Sequence, residues 1–245
     1  MNQVNYQKEL EKILDRFPEM GAAPGQGGDA SPPTLFLHSC CAPCSSDVLE
    51  YLCKYFQITV FYFNPNISES GEYRKRVEEQ KRLIEAYNAE EKGYPISVVE
   101  GDYEPGRFFE MSRGLERCPE GGERCFKCFD LRLRETAVQA KELGFDYFAT
   151  TLTISPLKNA QKLNEIGQSL AQEYGVPWLP SDFKKKNGYK RSIELSAEYD
   201  LYRQDYCGCA FSKVERLRQA SETEQPSAEG LKQACGIEQM FAEKV

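Results

Sequence analysis

Histidine, tryptophan and long apolar runs are scarce in this 245-residue sequence. Because His38 is the only histidine, the sequence argues against a histidine-rich zinc or non-haem iron site, and any metal would be held mainly by thiolates. No apolar run approaches the roughly 18 residues that a membrane-spanning helix requires. The N-terminal segment carries charges throughout and lacks the apolar centre of a secretory signal. We therefore expect a cytoplasmic protein without a membrane partner.

Cysteine is abundant where histidine is scarce, with ten residues in the chain. In a reducing compartment, clustered cysteines more often bind metals or carry redox chemistry than form structural disulfides. Thiolates suit both iron–sulfur clusters and structural zinc. The net charge of −7 weighs against a nucleic acid partner, although a local basic surface can coexist with an acidic total.

Alternating apolar and amphipathic segments predict an α/β fold with a parallel sheet flanked by helices and with helical C-terminal additions. Strands are expected at residues 34–38, 58–63, 96–99, 147–151 and 176–179. Helices are expected at residues 1–17, 45–55, 72–91, 123–143, 159–174, 191–201 and 211–220. The chain therefore divides into a helix and flexible linker (1–33), one α/β domain (34–220), and a polar segment with a weak helix (221–245).

Two cysteine groups occupy positions where such folds bind ligands. Cys40, Cys41 and Cys44 follow the first predicted strand, beyond whose carboxyl end ligands bind in parallel sheets. Cys125 and Cys128 open a predicted helix, which directs both sulfurs to one side, and helix N-termini favour thiolates. The neighbouring His38 could hydrogen-bond to the first group or simply pack at the end of its strand.

The third group is Cys207-Gly-Cys209. A disulfide across so short a loop is strained, so the pair could cycle between dithiol and disulfide or bind a second metal. Structural zinc is the alternative for the cysteines as a set. Cys53 and Cys235 have no cysteine neighbours, and we expect them to be incidental.

Polar segments near these groups are candidates for substrate contacts. The basic segment 184–191 is the best candidate for RNA, with a solvated loop as the alternative; its members are Lys184, Lys185, Lys186, Tyr189, Lys190 and Arg191. Asn64 and Asn66 could contact substrate or shape a turn. The basic residues between 74 and 82 alternate with glutamates and predict a solvated helix face, with Glu72 and Arg76 spaced for an ion pair.

Six long stretches carry a family resemblance. They read LFLHSCCAPCSS (35–46), FYFNPNI (61–67), EYRKRVEEQ (72–80), EGGERCFKCFDLRL (120–133), FDYFATTLTISPLKNAQKLNEIG (145–167) and DFKKKNGYKRSIELSAEYDLYRQDYCGCAFS (182–212). Together they cover nearly all of residues 35–212. In these stretches the chain resembles the QueH-type epoxyqueuosine reductases, the cobalamin-independent enzymes for the last step of queuosine synthesis in tRNA.

The resemblance implies an adenine-nucleotide-hydrolase-like, Rossmann-like fold, a 4Fe–4S cluster and a nearby second, mononuclear iron, with no cobalamin. It assigns the cluster to four thiols, with Cys44 able to replace one of them: Cys40, Cys41, Cys125 and Cys128. It makes Cys207 and Cys209 a redox-active pair or ligands of the second iron. The implied partners are tRNA carrying epoxyqueuosine and an unidentified electron donor.

The implied reaction removes the epoxide oxygen as water and leaves an alkene, which consumes two electrons and two protons. Acids and phenols near the third group are candidate proton donors: Asp182, Asp205, Tyr189 and Tyr206. Two other functions stay open, a zinc-binding RNA-interaction module and an ATP-activating tRNA-thiolation enzyme of the same fold. The second would need a glycine-rich phosphate loop where this chain has SCCAPCSS.

Overall fold

This computed structural model describes residues 4–17, 19 and 31–223, and these residues contain four strands and eight α-helices. The strands are β1 (Thr34–His38), β2 (Gln57–Tyr62), β3 (Ser97–Glu100) and β4 (Tyr147–Thr150). The helices are α1 (Tyr6–Leu14), α2 (Ala42–Leu52), α3 (Ser70–Ala89), α4 (Pro105–Ser112), α5 (Glu123–Glu142), α6 (Ala160–Tyr174), α7 (Gly188–Glu198) and α8 (Ala210–Thr223). Short 3-10 helices span Thr151–Ile154 and Lys185–Asn187.

The four strands form one parallel sheet in the order β3-β2-β1-β4. Within it, Leu35 of β1 lies opposite Ile58 of β2 and Tyr147 of β4. The near-continuous burial of β1 fits a strand that is covered on both faces. The α/β fold with a parallel, Rossmann-like sheet is therefore confirmed.

Several element predictions need correction. The strand expected at 176–179 is a single bridge between Trp178 and Phe148. Helix α4 was not predicted, and α7 begins at Gly188 rather than near residue 191. Residues 221–223, expected in a polar segment, continue α8. Most of the expected linker, the remainder of the C-terminal segment and Cys235 lie outside the described residues.

Apolar side chains fill the space on both faces of the sheet. One cluster joins the sheet to α1, α2 and α3, with Leu10, Leu37, Leu52, Val60 and Leu83 at its centre. The other joins it to α5 and α6, with Phe36, Phe61, Leu133, Phe148 and Trp178. Because both faces are covered, the carboxyl edge of the sheet is the open side on which a site can form. No helix in the described ranges has the length and apolar character needed to cross a bilayer.

Helix α2 carries a partly buried carboxylate, that of Asp47, whose negative charge is unfavourable there. The side chain of Asp47 is partly buried against the start of α7, and an ideal Cβ on Gly188 would lie 2.7 Å from its Oδ2. Burial raises the pKa of Asp47 to about 6, with Glu50 adding to the rise and Arg191 opposing it. A carboxyl group whose pKa is raised in the folded state costs stability as the pH rises through that value.

We expect Asp47→Asn to increase the free energy of unfolding by about 1 kcal/mol at pH 7, a value reduced for partial exposure, and to change it little at about pH 3. Below the ordinary aspartate pKa both folded and unfolded wild-type chains are protonated, so the difference disappears. Urea denaturation at the two pH values measures it. An equal gain in the free energy of unfolding at both pH values would show that the charge of Asp47 is not the cause.

Candidate metal centre and substrate cavity

The first cysteine group lies where β1 ends and α2 begins. Cys41 is the N-cap residue of α2 in an extended conformation, and Cys44 lies in its first turn. The sulfurs of Cys40, Cys41 and Cys44 all lie within 4.8 Å of one another, and Cys40 and Cys41 are buried. Three convergent thiols at a helix N-terminus make a set of ligands suited to a soft metal.

The three sulfurs share their protons unequally. Hydrogen bonds from Cys41 and Cys44 hold the pKa of Cys40 well below its usual value, and the positive charges of Arg132 and Lys158 act in the same direction. The same hydrogen bond to Cys40 raises the pKa of Cys41 to about 12. The pKa of Cys44 rises for the same reason. The geometry therefore favours one thiolate, on Cys40, before any metal binds.

The second group opens α5, as predicted. The Gly121 amide donates to the Cys125 sulfur at 3.3 Å, and the Arg124 guanidinium donates to the Leu115 carbonyl at 2.9 Å, which fixes the start of the helix. One turn further, burial raises the pKa of Cys128 to about 11. The segment before α5 follows α4 rather than a strand, and α4 was missing from the sequence prediction.

The third group is held as two thiols on a loop. The Cys207 and Cys209 sulfurs are 3.4 Å apart, and all the described cysteines are free. Gly208 between them has φ of +104°, a conformation that side chains rarely adopt. Asn66 Nδ2 donates to the Cys207 carbonyl at 3.3 Å, and the Ser68 amide donates to the Gly208 carbonyl at 3.0 Å. The loop is therefore fastened to the segment that follows β2.

Arg76 of α3 completes this attachment. Its guanidinium donates to the Cys207 carbonyl at 3.3 Å and the Tyr206 carbonyl at 3.4 Å. The predicted ion pair with Glu72 is confirmed at 2.7 Å. The prediction that this helix face is solvated is wrong at Arg76, which is only 1% exposed because the 207–209 loop folds over it.

The three groups meet around two adjoining cavities. The small cavity, of about 30 Å³, is lined by four of the sulfurs: Cys125, Cys128, Cys207 and Cys209. The large cavity, of about 550 Å³, is lined by Cys40, Cys44 and Cys207. Cys207, Arg132 and Lys158 border both. The sequence prediction that separated cysteines converge at the edge of the sheet thus agrees with the structure.

Some predicted residues reach these cavities and others do not. Asp205 and Tyr206 line the large cavity, and Asn66 lines the small one. Asp182 lines neither cavity, and its carboxylate pairs with Lys184 at 2.8 Å. Asn64 is buried behind the site, where its amide donates to the Ser39 carbonyl at 2.8 Å.

Of the basic segment 184–191, only Tyr189 lines the large cavity. Four of its cations form ion pairs with acidic neighbours: Lys184 with Asp182, Lys186 with Glu11, Lys190 with Glu194, and Arg191 with Glu50. Lys190 is the most exposed of the paired cations, with 76% of its side chain accessible. The segment thus carries less free positive charge than its sequence suggests.

His38 does not reach the sulfurs through a hydrogen bond. Its Nδ1 lies 2.8 Å from the Thr150 hydroxyl and its Nε2 lies 3.2 Å from the Phe63 carbonyl oxygen. Burial, with the charge of Arg132 acting in the same direction, lowers the pKa of His38 to about 3. The imidazole is therefore neutral, and it packs at the end of its strand.

Sequence reasoning missed several residues of the site. Phe108 of α4 packs with Cys128 and Cys209, Glu120 lines both cavities, and Arg203 and Arg216 line the large one. Arg132 of α5 is 2% exposed beside the sulfurs. A helical arginine among other charges looks solvated in sequence, so no local signal identified it.

The residues present fit an iron–sulfur group. Thiols from three segments line two adjoining cavities, and two cations that border both, Arg132 and Lys158, would offset the negative charge of a thiolate-held cluster. The buried Asn66 Oδ1 has no hydrogen-bond partner among the described residues, although its residue lines the small cavity. A polar atom in this position can serve a bound group.

Fold and site together define an α/β protein with a thiol-lined centre beyond the carboxyl edge of a parallel sheet. A family model described as "Epoxyqueuosine reductase QueH" matches residues 35–215. The chain therefore belongs to the QueH family.

Individual relatives agree with this assignment. The Epoxyqueuosine reductase QueH of Streptococcus pyogenes serotype M1 is 49% identical over 180 residues, which is 74% of this chain and 70% of the relative. That of Staphylococcus epidermidis is 42% identical over 215 residues, 87% of this chain and 86% of the relative. That of Thermotoga maritima is 33% identical over 192 residues, 77% of this chain and 95% of the relative.

Gly208→Ala should displace the third cysteine group. An ideal Cβ there would lie 2.8 Å from Ile67 Cγ1 and 3.3 Å from Arg76 Nη1, in addition to the cost of the positive φ. We expect a loss of about 2 kcal/mol in the free energy of unfolding and faster alkylation of Cys207.

Gly121→Ala is the matched control, because Gly121 also has a positive φ, of +82°, but nothing within 4 Å of its Cβ position. Gly121→Ala should lower the free energy of unfolding only by the cost of the positive φ, about 1 kcal/mol. Equal losses in the two variants, measured by urea denaturation, would show that the contact with Ile67 and Arg76 carries no weight.

Proposed function

We propose that this protein reduces epoxyqueuosine to queuosine at the wobble position of tRNA. The observation that carries the proposal is that three cysteine segments line two adjoining cavities, with Cys207 bordering both, in a chain of the QueH family. The epoxide takes up two electrons and two protons, loses its oxygen as water and becomes an alkene. This substrate places the protein in the cytoplasm, where it would draw electrons from a separate donor.

In this proposal the cysteines form two sets with different redox roles. We propose that Cys40, Cys41, Cys125 and Cys128 hold a 4Fe–4S cluster, and the short distances around Cys44 support it as an alternative ligand. When bound, such a cluster supplies single electrons.

Cys207 and Cys209 act as a redox-active dithiol or hold a second, mononuclear iron. Oxidation of the dithiol to a disulfide releases two electrons and two protons, which matches the demand of the epoxide. An external donor then restores the dithiol.

Other side chains of the cavity prepare the substrate. Phe108 and Phe129 line the small cavity and exclude water from the sulfurs. Asp205 and Tyr206 line the large cavity beside Cys207, and we propose that they supply the protons. Asn66 is placed to hydrogen-bond to the substrate through its unpartnered oxygen. Asp182 would take part only after its ion pair with Lys184 opens.

The two other functions are less well supported. In an ATP-activating enzyme, backbone amides of a glycine-rich loop after β1 would bind phosphate. Here buried cysteines occupy that loop. A zinc-binding RNA module needs four closed ligands and no adjoining space, whereas a cavity of about 550 Å³ opens beside Cys40 and Cys44.

Anaerobic purification with iron and sulfide analysis tests the cofactor, and mass spectrometry of tRNA carrying epoxyqueuosine, incubated with dithionite, tests the reaction. Cys125→Ser should lose visible absorption and activity, because the thiolate ligand is lost. Cys118→Ser is the control, since Cys118 lines neither cavity. A colourless, zinc-containing wild-type protein, or a fully active Cys125→Ser, contradicts the proposal.

The mouth of the large cavity is the tRNA surface that we propose. Tyr189 is 38% exposed there and can stack on an unpaired base. Arg203 and Arg216 line the same mouth and, among the described residues, neither forms an ion pair with a carboxylate. The adjacent Lys185 would extend this surface, as would Lys190, whose pair with Glu194 is long at 3.9 Å, whereas Lys184, Lys186 and Arg191 are engaged by closer acidic partners.

Two variants separate stacking from charge in tRNA binding. Arg216→Gln should weaken binding and lower the slope of log affinity against log salt by about one, because one phosphate contact is lost. Tyr189→Ala should cost about 1–3 kcal/mol without changing the slope, because a stacked base carries no charge.

Lys12→Gln is the control, because Lys12 is 65% exposed on α1 and pairs with Glu9. Filter binding over a salt series measures all three variants. Wild-type affinity in both mouth variants would place the tRNA surface elsewhere.

A further inference from the structure

Arg132 is a buried cation without a carboxylate partner. Its side chain is 2% exposed, and within residues 4–17, 19 and 31–223 no aspartate or glutamate forms an ion pair with it. Glu120 lines the same cavities but makes no such pair. A buried charge is costly unless an opposite charge compensates it, so its counter-charge must lie elsewhere.

Arg132 shares both cavities with cysteine sulfurs, namely those of Cys125, Cys128, Cys207 and Cys209 in the small cavity and those of Cys40, Cys44 and Cys207 in the large one. Burial acts to lower the pKa of Arg132, but the interaction of its guanidinium with the sulfurs of Cys128, Cys40 and Cys207 leaves that pKa raised. These cysteines come from the three separate groups. The guanidinium is therefore directed at the point where the groups meet.

A fixed network holds the guanidinium there. Nη2 donates to Asn64 Oδ1 at 2.6 Å, and Nε lies 3.3 Å from His38 Nε2. Asn64 is itself fixed by its donation to the Ser39 carbonyl, and His38 by Thr150. Neither Asn64 nor His38 lines the small or the large cavity of the site, so orienting Arg132 is the role that their contacts support.

The other cations near the sulfurs differ from Arg132. Arg76 has its own carboxylate in Glu72, and Arg124 is engaged by the carbonyls of Leu115 and Glu116. Lys158 is only partly buried; its backbone amide donates to the Ser155 carbonyl, but its side chain makes no hydrogen bond with another described residue. Arg132 is thus the cation whose position is fixed and whose charge is left for the site.

We propose that Arg132 is a positioning residue that fixes a positive charge against the cysteine-held redox group and thereby sets its reduction potential. This inference rests on the iron–sulfur function proposed above. Reduction adds negative charge, and a fixed positive charge nearby makes that addition easier. Removing the charge should therefore shift the midpoint potential to a more negative value.

The test compares iron-loaded variants by a redox titration followed by electron paramagnetic resonance, without tRNA. Arg132→Met should shift the midpoint to a more negative value, whereas Arg132→Lys, which keeps the charge, should stay nearer the wild type. Loading with iron and sulfide should also raise the melting temperature of Arg132→Met less than that of the wild type, because the favourable charge is missing.

Two further variants keep the test independent of folding. Asn64→Asp places a carboxylate 2.6 Å from the guanidinium nitrogen, at the cost of the Ser39 hydrogen bond, and should shift the midpoint in the same direction as Arg132→Met. Arg134→Met is the matched control. Arg134 lies on the same helix, but it is 40% exposed and pairs with Asp130 and Glu173. The midpoint potential of Arg134→Met should therefore match that of the wild type.

The outcomes separate the two proposals. Equal midpoints in loaded wild type, Arg132→Met and Asn64→Asp overturn the role of Arg132 and leave the reductase function intact. A shift of equal size in Arg134→Met also overturns it, because the effect would then be unspecific. A wild-type protein that binds no iron overturns the iron–sulfur function and this role together.

Discussion

The attachment of the 207–209 loop to α3 and to the segment after β2 is the constraint on which the site depends. The first two cysteine groups are placed by their own helices, whereas the loop of Cys207 and Cys209 is held beside them by hydrogen bonds from Arg76, Asn66 and Ser68. Each such hydrogen bond contributes about 1 kcal/mol net, but a buried group left without its partner costs more. The loop is therefore held by several hydrogen bonds to its backbone carbonyls, which no single substitution at Arg76, Asn66 or Ser68 removes together.

Sequence patterns correctly located the elements whose conformation depends mainly on residues close by in the chain. The apolar run of β1, the cysteines at the start of α2 and the pair that opens α5 all lie where the pattern predicted them. Helix α4 escaped prediction because eight residues that begin with Pro-Gly give a weak periodic signal. The segment at 176–179 has strand-like composition, yet it makes only one bridge, at Trp178, beside a sheet that β4 already completes.

The functional arginines were unpredictable for a different reason. On α3 the alternation of basic and acidic residues is typical of a solvated face, and Arg76 is buried only because a loop 131 residues later in the chain packs over it.

The net charge of the chain misleads in the same way. The chain totals −7, but the large cavity is lined by five cations and three carboxylates. Charge at a site is set by which side chains the fold gathers, and composition does not record that.

The position of the first cysteine group shows how one fold can serve different chemistry. In parallel α/β sheets the turn after the first strand leads into a helix N-terminus, whose amides and dipole favour an anion. With glycine in that turn, the anion is a phosphate held by backbone amides. With Cys40, Cys41 and Cys44 there, side-chain sulfur fills the space, and the same field favours a thiolate. The buried cation Arg132 lines both cavities, so in the function proposed above its charge would extend this preference for an anionic, sulfur-held group to the other cysteine groups.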